Sequence, residues 1–321
     1  MRAAVTGGSG VVGRALLRHL VEGGHEVRAL ARSDESRRQV RELGAEPVAG
    51  DVLDREHVEA LVAGADTVFH LAGVNELCPS DPAAMWRVNV EGTEVVLAAC
   101  RRREVGRLVH TSSASTIGEA RGTVADEATP RRRPPLSEYE RSKAEAELVV
   151  TEGRGELDVV VVNPASVQGP GRVGGTGALL AAAAGGRLPV LVDTVFSIVD
   201  IDDCARGHIL AAEKGGVGER YIFSGGTLTV REAVSILARI TGRRRPWFVH
   251  PGLATVAAHL VGPVMGRLGR RPLLCPESAR VLLHGHRYDG SKATRELGLD
   301  YTPVEDTFRR TVDWVLATGA A

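Results

Sequence analysis

The chain has 321 residues, of which 43% are hydrophobic and 25% are charged. This composition is typical of a globular protein and excludes a mostly disordered chain, and the length allows one large α/β domain or a domain with a smaller lobe. Forty lysine and arginine residues balance forty aspartate and glutamate residues, so the net charge gives no reason to expect a nucleic acid partner.

The first half of the chain alternates short β-branched runs with longer amphipathic segments, which predicts strands and helices in turn. The predicted strands are Ala3–Thr6, Glu26–Ala31, Glu46–Ala49, Thr67–Leu71, Arg107–Thr111 and Asp158–Asn163. The predicted helices are Val11–Glu22, Glu35–Leu43, Arg55–Val62, Met85–Arg103 and Glu138–Glu152. This β-α-β-α order predicts an α/β fold with a doubly wound parallel sheet that helices cover on both faces.

The second half is less regular, with glycine-rich turns at 169–177 and 215–218. Its predicted strands and helices are Phe196–Ile201, Asp202–Lys214, Arg220–Phe223, Val230–Thr241 and Val304–Ala317. We therefore expect a nucleotide-binding domain over residues 1–165 and a smaller C-terminal substrate-binding lobe over 166–321. The segments at about 196–214 and 284–292 are expected to return to the main domain.

The first predicted strand runs into a turn, Thr6–Gly13, with the sequence TGGSGVVG. It contains the pattern G-x-x-G-x-x-G, and Gly8 adds an overlapping G-x-G-x-x-G. Glycines allow a tight turn and a close approach to a pyrophosphate, which the free N–H groups and positive end of the next helix stabilise. In this strand–turn–helix context, we expect a dinucleotide to contact Gly7, Ser9, Gly10, Val11, Val12 and Gly13.

The end of the second predicted strand favours NADP(H) as the cofactor, with NAD(H) as the alternative. An NAD site needs an acidic residue about 20 positions after the glycine turn to hold the ribose 2′-hydroxyl. Ala31 and Arg32 occupy that place, and an arginine attracts the 2′-phosphate that a carboxylate would repel. The ends of the next two strands are also expected to contact the nucleotide, through Asp51, Val52, Leu71, Ala72 and Gly73.

A serine-rich segment, Thr111–Ser115, follows the fifth predicted strand, and Tyr139 and Lys143 follow on a predicted helix. Because they are four residues apart, the last two share one helix face. A neighbouring ammonium group is expected to lower the tyrosine pKa from its usual value of about 10. Tyr139 can then exchange a proton with a carbonyl or alcohol oxygen while a serine hydroxyl orients that oxygen. Lys143 can also hold the ribose hydroxyls, and a nicotinamide supplies or accepts the hydride.

Over nearly its whole length the chain resembles the extended short-chain dehydrogenase/reductases, part of the NAD-dependent epimerase/dehydratase superfamily. Thr6–Gly13 is similar to the family's TGxxGxxG turn, and Asn89 to its helix asparagine. The resemblance implies a Rossmann fold, with Ser113, Tyr139 and Lys143 as the catalytic residues and Ser112 as the alternative serine. It also implies that the cofactor contacts Thr111, Tyr139, Lys143, Pro164 and Val167.

Within the family the chain is most similar to the dihydroflavonol-reductase-like group, which contains NADPH-dependent carbonyl reductases and sugar epimerases. We therefore expect a carbonyl reductase, with a cofactor-retaining sugar-nucleotide epimerase as the alternative. Thr116–Gly118 replaces the Val-Tyr-Gly of many such epimerases, and Ala114 and Ser115 replace the acidic pair of the dehydratases. A non-catalytic cofactor sensor is a third reading, but such proteins typically lose the tyrosine or the lysine.

The substrate is expected to lie between the nucleotide and the lobe, where the candidate contacts are Val74, Asn75, Ser115, Asn163 and Phe196. Three arginines are candidates for binding a phosphate or carboxylate of the substrate, although the sequence does not position them; they are Arg172, Arg187 and Arg270. The stretch Trp247–Leu268 is apolar at helical spacing and is expected to pack in the core or cover the cleft, although a lipid-like or polycyclic substrate would also suit it.

We expect no metal site and no membrane span. His284 and His286 form no recognisable ligand set, and the longest apolar stretch is interrupted before it reaches the ~18 residues of a span. The four cysteines lack C-x-x-C spacing and no signal peptide precedes the first strand, so we expect reduced thiols in a cytoplasmic protein. Family members often form a homodimer through the helices predicted at Met85–Arg103 and Glu138–Glu152.

Overall fold

The computed structural model describes residues 1–172, 190–243, 246–249, 252 and 275–319. Its strands are β1 (Arg2–Thr6), β2 (Glu26–Ala31), β3 (Glu46–Ala49), β4 (Thr67–His70), β5 (Arg107–Thr111), β6 (Asp158–Pro164), β7 (Ser166–Gln168), β8 (Val190–Val192), β9 (Val195–Asp200), β10 (Arg220–Phe223), β11 (Gly226–Thr229) and β12 (Trp247–Val249). Seven of them form a parallel sheet in the order β10-β6-β5-β4-β1-β2-β3. The order reverses between β1 and β4, which opens a crevice beyond the carboxyl ends of these strands.

Helices cover both faces of this sheet. The α-helices of the described residues are α1 (Val11–Glu22), α2 (Asp34–Glu42), α3 (Arg55–Val62), α4 (Pro82–Trp86), α5 (Gly92–Arg102), α6 (Glu138–Gly153), α7 (Ile201–Lys214), α8 (Val230–Thr241), α9 (Pro276–His284) and α10 (Val304–Thr318). On one face Leu16 of α1 packs with Ala205 of α7, and on the other Leu61 of α3 packs with Val96 of α5. The predicted doubly wound fold is therefore confirmed.

The strand and helix bounds of the first half agree closely with the prediction, but one predicted helix is wrong in detail. The segment Met85–Arg103 is divided between α4, a π-helical turn (Arg87–Glu91) and α5. Such a wider turn frequently marks a functional site, and here it carries the buried Asn89. Hydrophobic spacing cannot show the extra residue in the turn, because the apolar residues on either side still follow a helical period.

A smaller three-stranded sheet lies in the second half, in the order β11-β9-β7. Ile198 of β9, Leu228 of β11 and Phe308 of α10 form its core. In contrast, α7 and β10 belong to the main body, since α7 packs on α1 and β10 pairs with β6. The segment around Arg287, near the end of the chain, contacts the first half. The main-chain N–H of Ala125 donates to the carbonyl oxygen of Arg287 at 2.9 Å.

The apolar stretch Trp247–Leu268 was predicted from its helical spacing, and the structure describes only part of it. Trp247–Val249 was predicted as the start of a helical stretch, but it forms β12, which pairs in parallel with β8. A three-residue apolar run is too short for periodicity to separate strand from helix. Of the remaining 250–268, only residue 252 is among the described residues.

The expectation of four reduced thiols is wrong, because Cys78 and Cys275 form a disulfide across 197 residues of sequence. Their spacing carries no signal, since only the folded chain brings the two Cα atoms to 6.5 Å. Cys100 and Cys204 are free and buried. In the described parts of the chain, no helix combines the length and apolar character that crossing a bilayer requires.

Candidate active site

The glycine turn lies at the crevice between β1 and α1. Gly7 has a φ of +75°, and a Cβ atom there would lie 2.6 Å from the nitrogen of Ala72. A Cβ atom on Gly13 would collide with the carbonyl oxygen of Gly7. The first turn of α1 has neither a side-chain cap nor an acidic residue, so its N–H groups are open to an anion. These features fit the pyrophosphate of a dinucleotide.

The end of β4 continues this crevice toward the predicted catalytic lysine. The N–H of Ala72 donates to the hydroxyl oxygen of Thr6 at 3.2 Å, which ties β4 to β1. At Gly73 a Cβ atom would lie 3.1 Å from Oδ1 of Asn89 and 3.9 Å from Nζ of Lys143. A side chain here would fill the path along which a nucleotide could run from the glycine turn to Lys143.

Asn89 fixes the loop that follows. Its Oδ1 accepts from the N–H of Val74 at 2.7 Å, and its Nδ2 donates to the carbonyl oxygen of Val74 at 3.1 Å and to Oγ of Ser142 at 2.8 Å. Ser142 in turn donates to the carbonyl oxygen of Tyr139 at 2.9 Å. Asn89 therefore couples the loop after β4 to the first turn of α6.

Arg32 lies at the end of β2, where the sequence predicts the ribose 2′-substituent. Its side chain is 79% exposed, and its Nη1 is 3.8 Å from Oδ2 of Asp51. Ser33 caps α2, and its hydroxyl accepts from the N–H of Ser36. The cation is therefore accessible to a ligand, and Asp51 only partly offsets its charge.

The hydroxyl of Tyr139 lies close to that of Ser113. Burial raises the pKa of Tyr139, while its hydrogen bond with Ser113 and the charge of Arg172 act in the opposite direction. The predicted lowering of this pKa is therefore wrong. The predicted cause was the ammonium group of Lys143, but its Nζ donates to the carbonyl oxygen of Thr111 at 2.6 Å.

Lys143 is buried behind the tyrosine. Burial lowers the pKa of Lys143 to about 8, and the charge of Glu147 acts against that change. His70 of β4 and His110 of β5 are buried, and the charge of the lysine adds to the lowering of both histidine pKa values. The ammonium group is therefore held in a poorly solvated position at the ends of β4 and β5.

The two candidate serines make different contacts. Oγ of Ser113 is 3.0 Å from Oγ of Ser115, and Ser113 also makes the hydrogen bond with Tyr139. Ser112 is buried, and its hydroxyl donates to Oε2 of Glu147 at 2.5 Å. This geometry favours Ser113 over Ser112 as the partner of the tyrosine.

Glu147 organises the serine turn from behind, a role that the sequence reasoning missed. Besides Ser112, its Oε2 accepts from Oγ1 of Thr116 at 2.8 Å and from Nδ2 of Asn163 at 2.9 Å. Nδ2 of Asn163 also donates to the carbonyl oxygen of Ser113 at 3.2 Å. The spacing of four between Lys143 and Glu147 could have revealed this residue.

Asn163 was predicted to contact the substrate, and the structure does not place it in the cleft. Its side chain is 0% exposed, and its amide N–H groups are used within the network around Glu147. Through the bond to the carbonyl oxygen of Ser113, Asn163 supports the turn containing that serine. It is a positioning residue in this geometry.

The other predicted contacts differ in their surroundings. Asn75 is exposed, and Ser115 is half-buried beside Ser113. Phe196 is half-buried and packs against the core of the small sheet. Pro164 ends β6, and Val167 lies in β7, which follows directly. Arg187 and Arg270 lie outside the described residues.

Glu277 of α9 reaches across to the Rossmann body. Its Oε2 accepts from the N–H of Cys78 at 2.6 Å, and its Oε1 accepts from the N–H of Glu138 at 3.1 Å. Together with the Cys78–Cys275 disulfide, these bonds join the loop after β4, the start of α6 and the start of α9. All three segments border the predicted site.

His284 and His286, which formed no ligand set in the sequence, meet Glu119 in the fold. Oε1 of Glu119 lies 3.0 Å from Nε2 of His284 and 2.7 Å from Nδ1 of His286. The three ligand atoms lie within 4.8 Å of one another, a spacing that a metal ion would accept. However, Nη2 of Arg133 is 3.9 Å from Oε2 of Glu119, so a cation already compensates the carboxylate.

Comparison with known proteins shows the family of the chain. The family model for the NAD dependent epimerase/dehydratase family matches residues 3–223. The chain belongs to this family. It is an NAD(P)-dependent oxidoreductase of the extended short-chain dehydrogenase/reductase type, as the sequence predicts.

Three similar proteins illustrate the range within the family. A Synechocystis protein provisionally named a dihydroflavonol 4-reductase is 32% identical, with 97% of this chain and 93% of that protein aligned. The 2-alkyl-3-oxoalkanoate reductase of Stenotrophomonas maltophilia is 34% identical over 97% and 98% of the two chains. The solved UDP-glucose 4-epimerase of Thermus thermophilus in complex with NAD has a TM-score of 0.77 and 25% identity, covering 99% and 100%.

Proposed function

We propose that the protein is an NADPH-dependent carbonyl reductase. The observation that carries the proposal is the contact between Ser113 and Tyr139 at the end of β5, with Lys143 held beside the glycine-lined crevice. When bound, the nicotinamide supplies the hydride that the carbonyl carbon accepts.

Three side chains donate the proton, orient the carbonyl oxygen and bind the ribose. Because burial raises the pKa of Tyr139, its hydroxyl is protonated at neutral pH and can donate that proton to the carbonyl oxygen. The hydroxyl of Ser113 donates a hydrogen bond to the same oxygen and orients it. Lys143 is positioned near Gly73, from which it can bind the ribose hydroxyls.

Two observations support the choice of NADPH and of a carbonyl substrate. The exposed guanidinium of Arg32 stands where an NAD-binding site would have a carboxylate. Among the relatives, the Stenotrophomonas enzyme is named as a reductase of an oxo acid. The alternative is an epimerase that retains its cofactor, which the similarity to the NAD-bound UDP-glucose 4-epimerase favours.

Cofactor occupancy and preference test this proposal. The purified protein is denatured, any released nucleotide is identified, and the stripped protein is titrated with NADPH and NADH before assay with a panel of ketones. We expect exchangeable binding that favours NADPH, and ketone-dependent NADPH oxidation. Tightly retained NAD with no net oxidation would favour the epimerase, and binding without any turnover would favour a cofactor sensor.

The proposal includes a homodimer formed through α5 and α6. Leu148 supports this arrangement, because it is a large apolar side chain on α6 that is 49% exposed. Light scattering of the purified protein should give twice the mass of one chain. A Leu148→Glu variant should shift the mass toward a single chain.

A further inference from the structure

Arg172 occupies a defined place in the turn after β7. Its main-chain N–H donates to the carbonyl oxygen of Gly169 at 3.3 Å, which closes a turn after β7. Gly169 has a φ of +147°, and a Cβ atom there would collide with the side chain of Ile201. Backbone packing against the start of α7 therefore fixes the start of this turn.

The guanidinium of Arg172 is half-buried, and among the described residues one of its nitrogens has no hydrogen-bond partner. Its Nε is buried and makes no hydrogen bond, and within the described part of the chain no carboxylate forms an ion pair with it. A buried donor without a partner costs about 1–3 kcal/mol, and more when the group is charged. Folded proteins therefore pair such cations with an anion.

The surroundings of Arg172 show where that anion would lie. The positive charge of Arg172 acts on the hydroxyl of Tyr139, so the two groups belong to the same part of the cleft. Arg14, in the first turn of α1, borders the same turn, because its Nη2 lies 3.4 Å from the place that a Cβ of Gly171 would take. The space between the glycine turn and Tyr139 is therefore bordered by cations.

We propose that Arg172 binds a carboxylate of the substrate while Tyr139 holds its carbonyl oxygen, so that the protein reduces oxo acids. The inference rests on the proposed reductase function. The planar guanidinium can hold both oxygens of a carboxylate, and one substrate can reach both residues when only a few bonds separate its carboxylate from its carbonyl carbon.

The reaction leaves the carboxylate unchanged. The carbonyl carbon accepts the hydride of NADPH, the C–O π bond breaks, and the oxygen takes the proton of the Tyr139 hydroxyl. One oxo acid, one NADPH and one proton then give one hydroxy acid and one NADP⁺. Arg172 binds and orients the substrate, which makes it a determinant of specificity.

A phosphate of the cofactor is the other oxoanion that Arg172 could bind. The two sources differ in a measurable way, because a cofactor contact is made with every substrate, whereas a substrate contact is made only with the acid. The experiment therefore compares 3-oxooctanoate with its methyl ester, which has the same carbonyl but no charge. NADPH affinity is measured separately by fluorescence titration without substrate.

The variants are Arg172→Gln and Arg172→Lys. The first removes the positive charge, and the second keeps the charge but replaces the planar guanidinium with an ammonium group. We expect the unmodified protein to prefer the acid over the ester by at least about tenfold in kcat/KM. Arg172→Gln should lower kcat/KM for the acid by about 10–100-fold, the effect of one charge-assisted hydrogen-bonded contact. The loss for the ester should be at least about tenfold smaller than the loss for the acid, and the Kd for NADPH should stay within about threefold. The loss of acid reduction with Arg172→Lys should lie between those of Arg172→Gln and the unmodified protein. The retained ester reaction also shows that the variant is folded.

Three results would overturn the inference. Equal losses for acid and ester, together with weaker NADPH binding, would assign Arg172 to a cofactor phosphate. Reduction of the ester as efficiently as the acid, with no effect of either variant, would refute the oxo acid but leave the reductase function standing. NADPH oxidation with neither compound nor any other ketone would refute the reductase function as well.

Discussion

On α6, Tyr139, Lys143 and Glu147 follow one another at intervals of four residues, and each touches a different part of the serine turn or strand end. The tyrosine meets the hydroxyl of Ser113, the lysine the carbonyl oxygen of Thr111, and the glutamate the hydroxyl of Ser112. The helix thus presents an acid, a cation and a supporting carboxylate on one face. The pair at 139 and 143 could be predicted from sequence; the third group acts through contacts that only the fold defines.

Glu147→Gln should move the alkaline limb of the kcat/KM profile to lower pH. Burial lowers the pKa of Lys143 to about 8 even though the charge of Glu147 raises it. Without the charge of Glu147, the ammonium group of Lys143 loses its proton at lower pH. The decline in activity at alkaline pH should therefore begin up to about one pH unit lower. Initial rates between pH 6 and 10 measure the shift.

The control for this variant is Glu145→Gln, because Glu145 is exposed on the same helix. It should leave the profile in place. If Glu147→Gln lowers kcat uniformly at every pH without moving the limb, the residue supports the turn but does not influence Lys143 electrostatically.

Arg32→Gln should weaken NADPH binding by about 10–100-fold and change NADH binding by less than about threefold. A hydrogen bond between a guanidinium and a phosphate contributes about 1.5–3 kcal/mol, and NADH has no 2′-phosphate. Fluorescence titrations of both cofactors provide the measurement. An equal loss of affinity for NADPH and NADH would show that Arg32 does not contact the 2′-phosphate.

At the scale of elements, the glycine turn and the strand ends around it could be predicted because their signals are local. A glycine pattern between a strand and a helix is visible within a dozen residues, and Gly7 and Gly13 leave no room for a side chain. The contact between α9 and the loop after β4 could not be predicted in this way. It joins Cys78 to residues about 200 positions later, and neither partner has a distinctive local sequence.

The Cys78–Cys275 disulfide should stabilise the protein by about 2–4 kcal/mol. Its main effect in the chain-entropy account is to restrict the unfolded chain, which it closes into a long loop. Cys78→Ser should lower the free energy of unfolding by that amount in a urea titration. The same titration with a dithiol reductant should weaken the unmodified protein and leave the variant unaffected. Four alkylatable thiols in the unreduced, unfolded protein would contradict the assignment.

For the molecule as a whole, the order of predicted elements was sufficient to predict the main sheet, since alternating strands and helices have few ways to pack. The small sheet was harder to predict. Its strands β7 and β11 have three and four residues, too few for periodicity to distinguish them from loops. The position of Arg172 also depends on the backbone turn after β7, which explains why the sequence could nominate the residue without placing it.

Three buried histidines should make the whole protein less stable in acid. Burial lowers the pKa of His70 to about 3 and of His208 to about 4, and it lowers that of His110 as well. Below the unfolded value of about 6.5, the unfolded chain binds protons that the folded chain does not, so stability present above that pH is lost as the pH falls.

Between pH 7 and 5.5 each of these histidines should remove a little more than about 1 kcal/mol from the free energy of unfolding, which gives about 4 kcal/mol for the three. Urea titrations at the two pH values measure the difference. His57→Gln provides a control, because His57 is about half exposed and the variant should keep the same pH dependence. An unchanged free energy of unfolding would contradict the buried neutral state of the three rings.

The central claim, that Tyr139 is the proton donor of a carbonyl reductase, is tested most directly by Tyr139→Phe. NADPH oxidation with a reactive ketone and NADPH binding are measured for the variant and the unmodified protein under the same conditions. We predict that the variant binds NADPH with unchanged affinity, while kcat falls by about 10²–10⁴-fold, the usual contribution of a positioned general acid. Turnover of the variant at the rate of the unmodified protein would contradict the account.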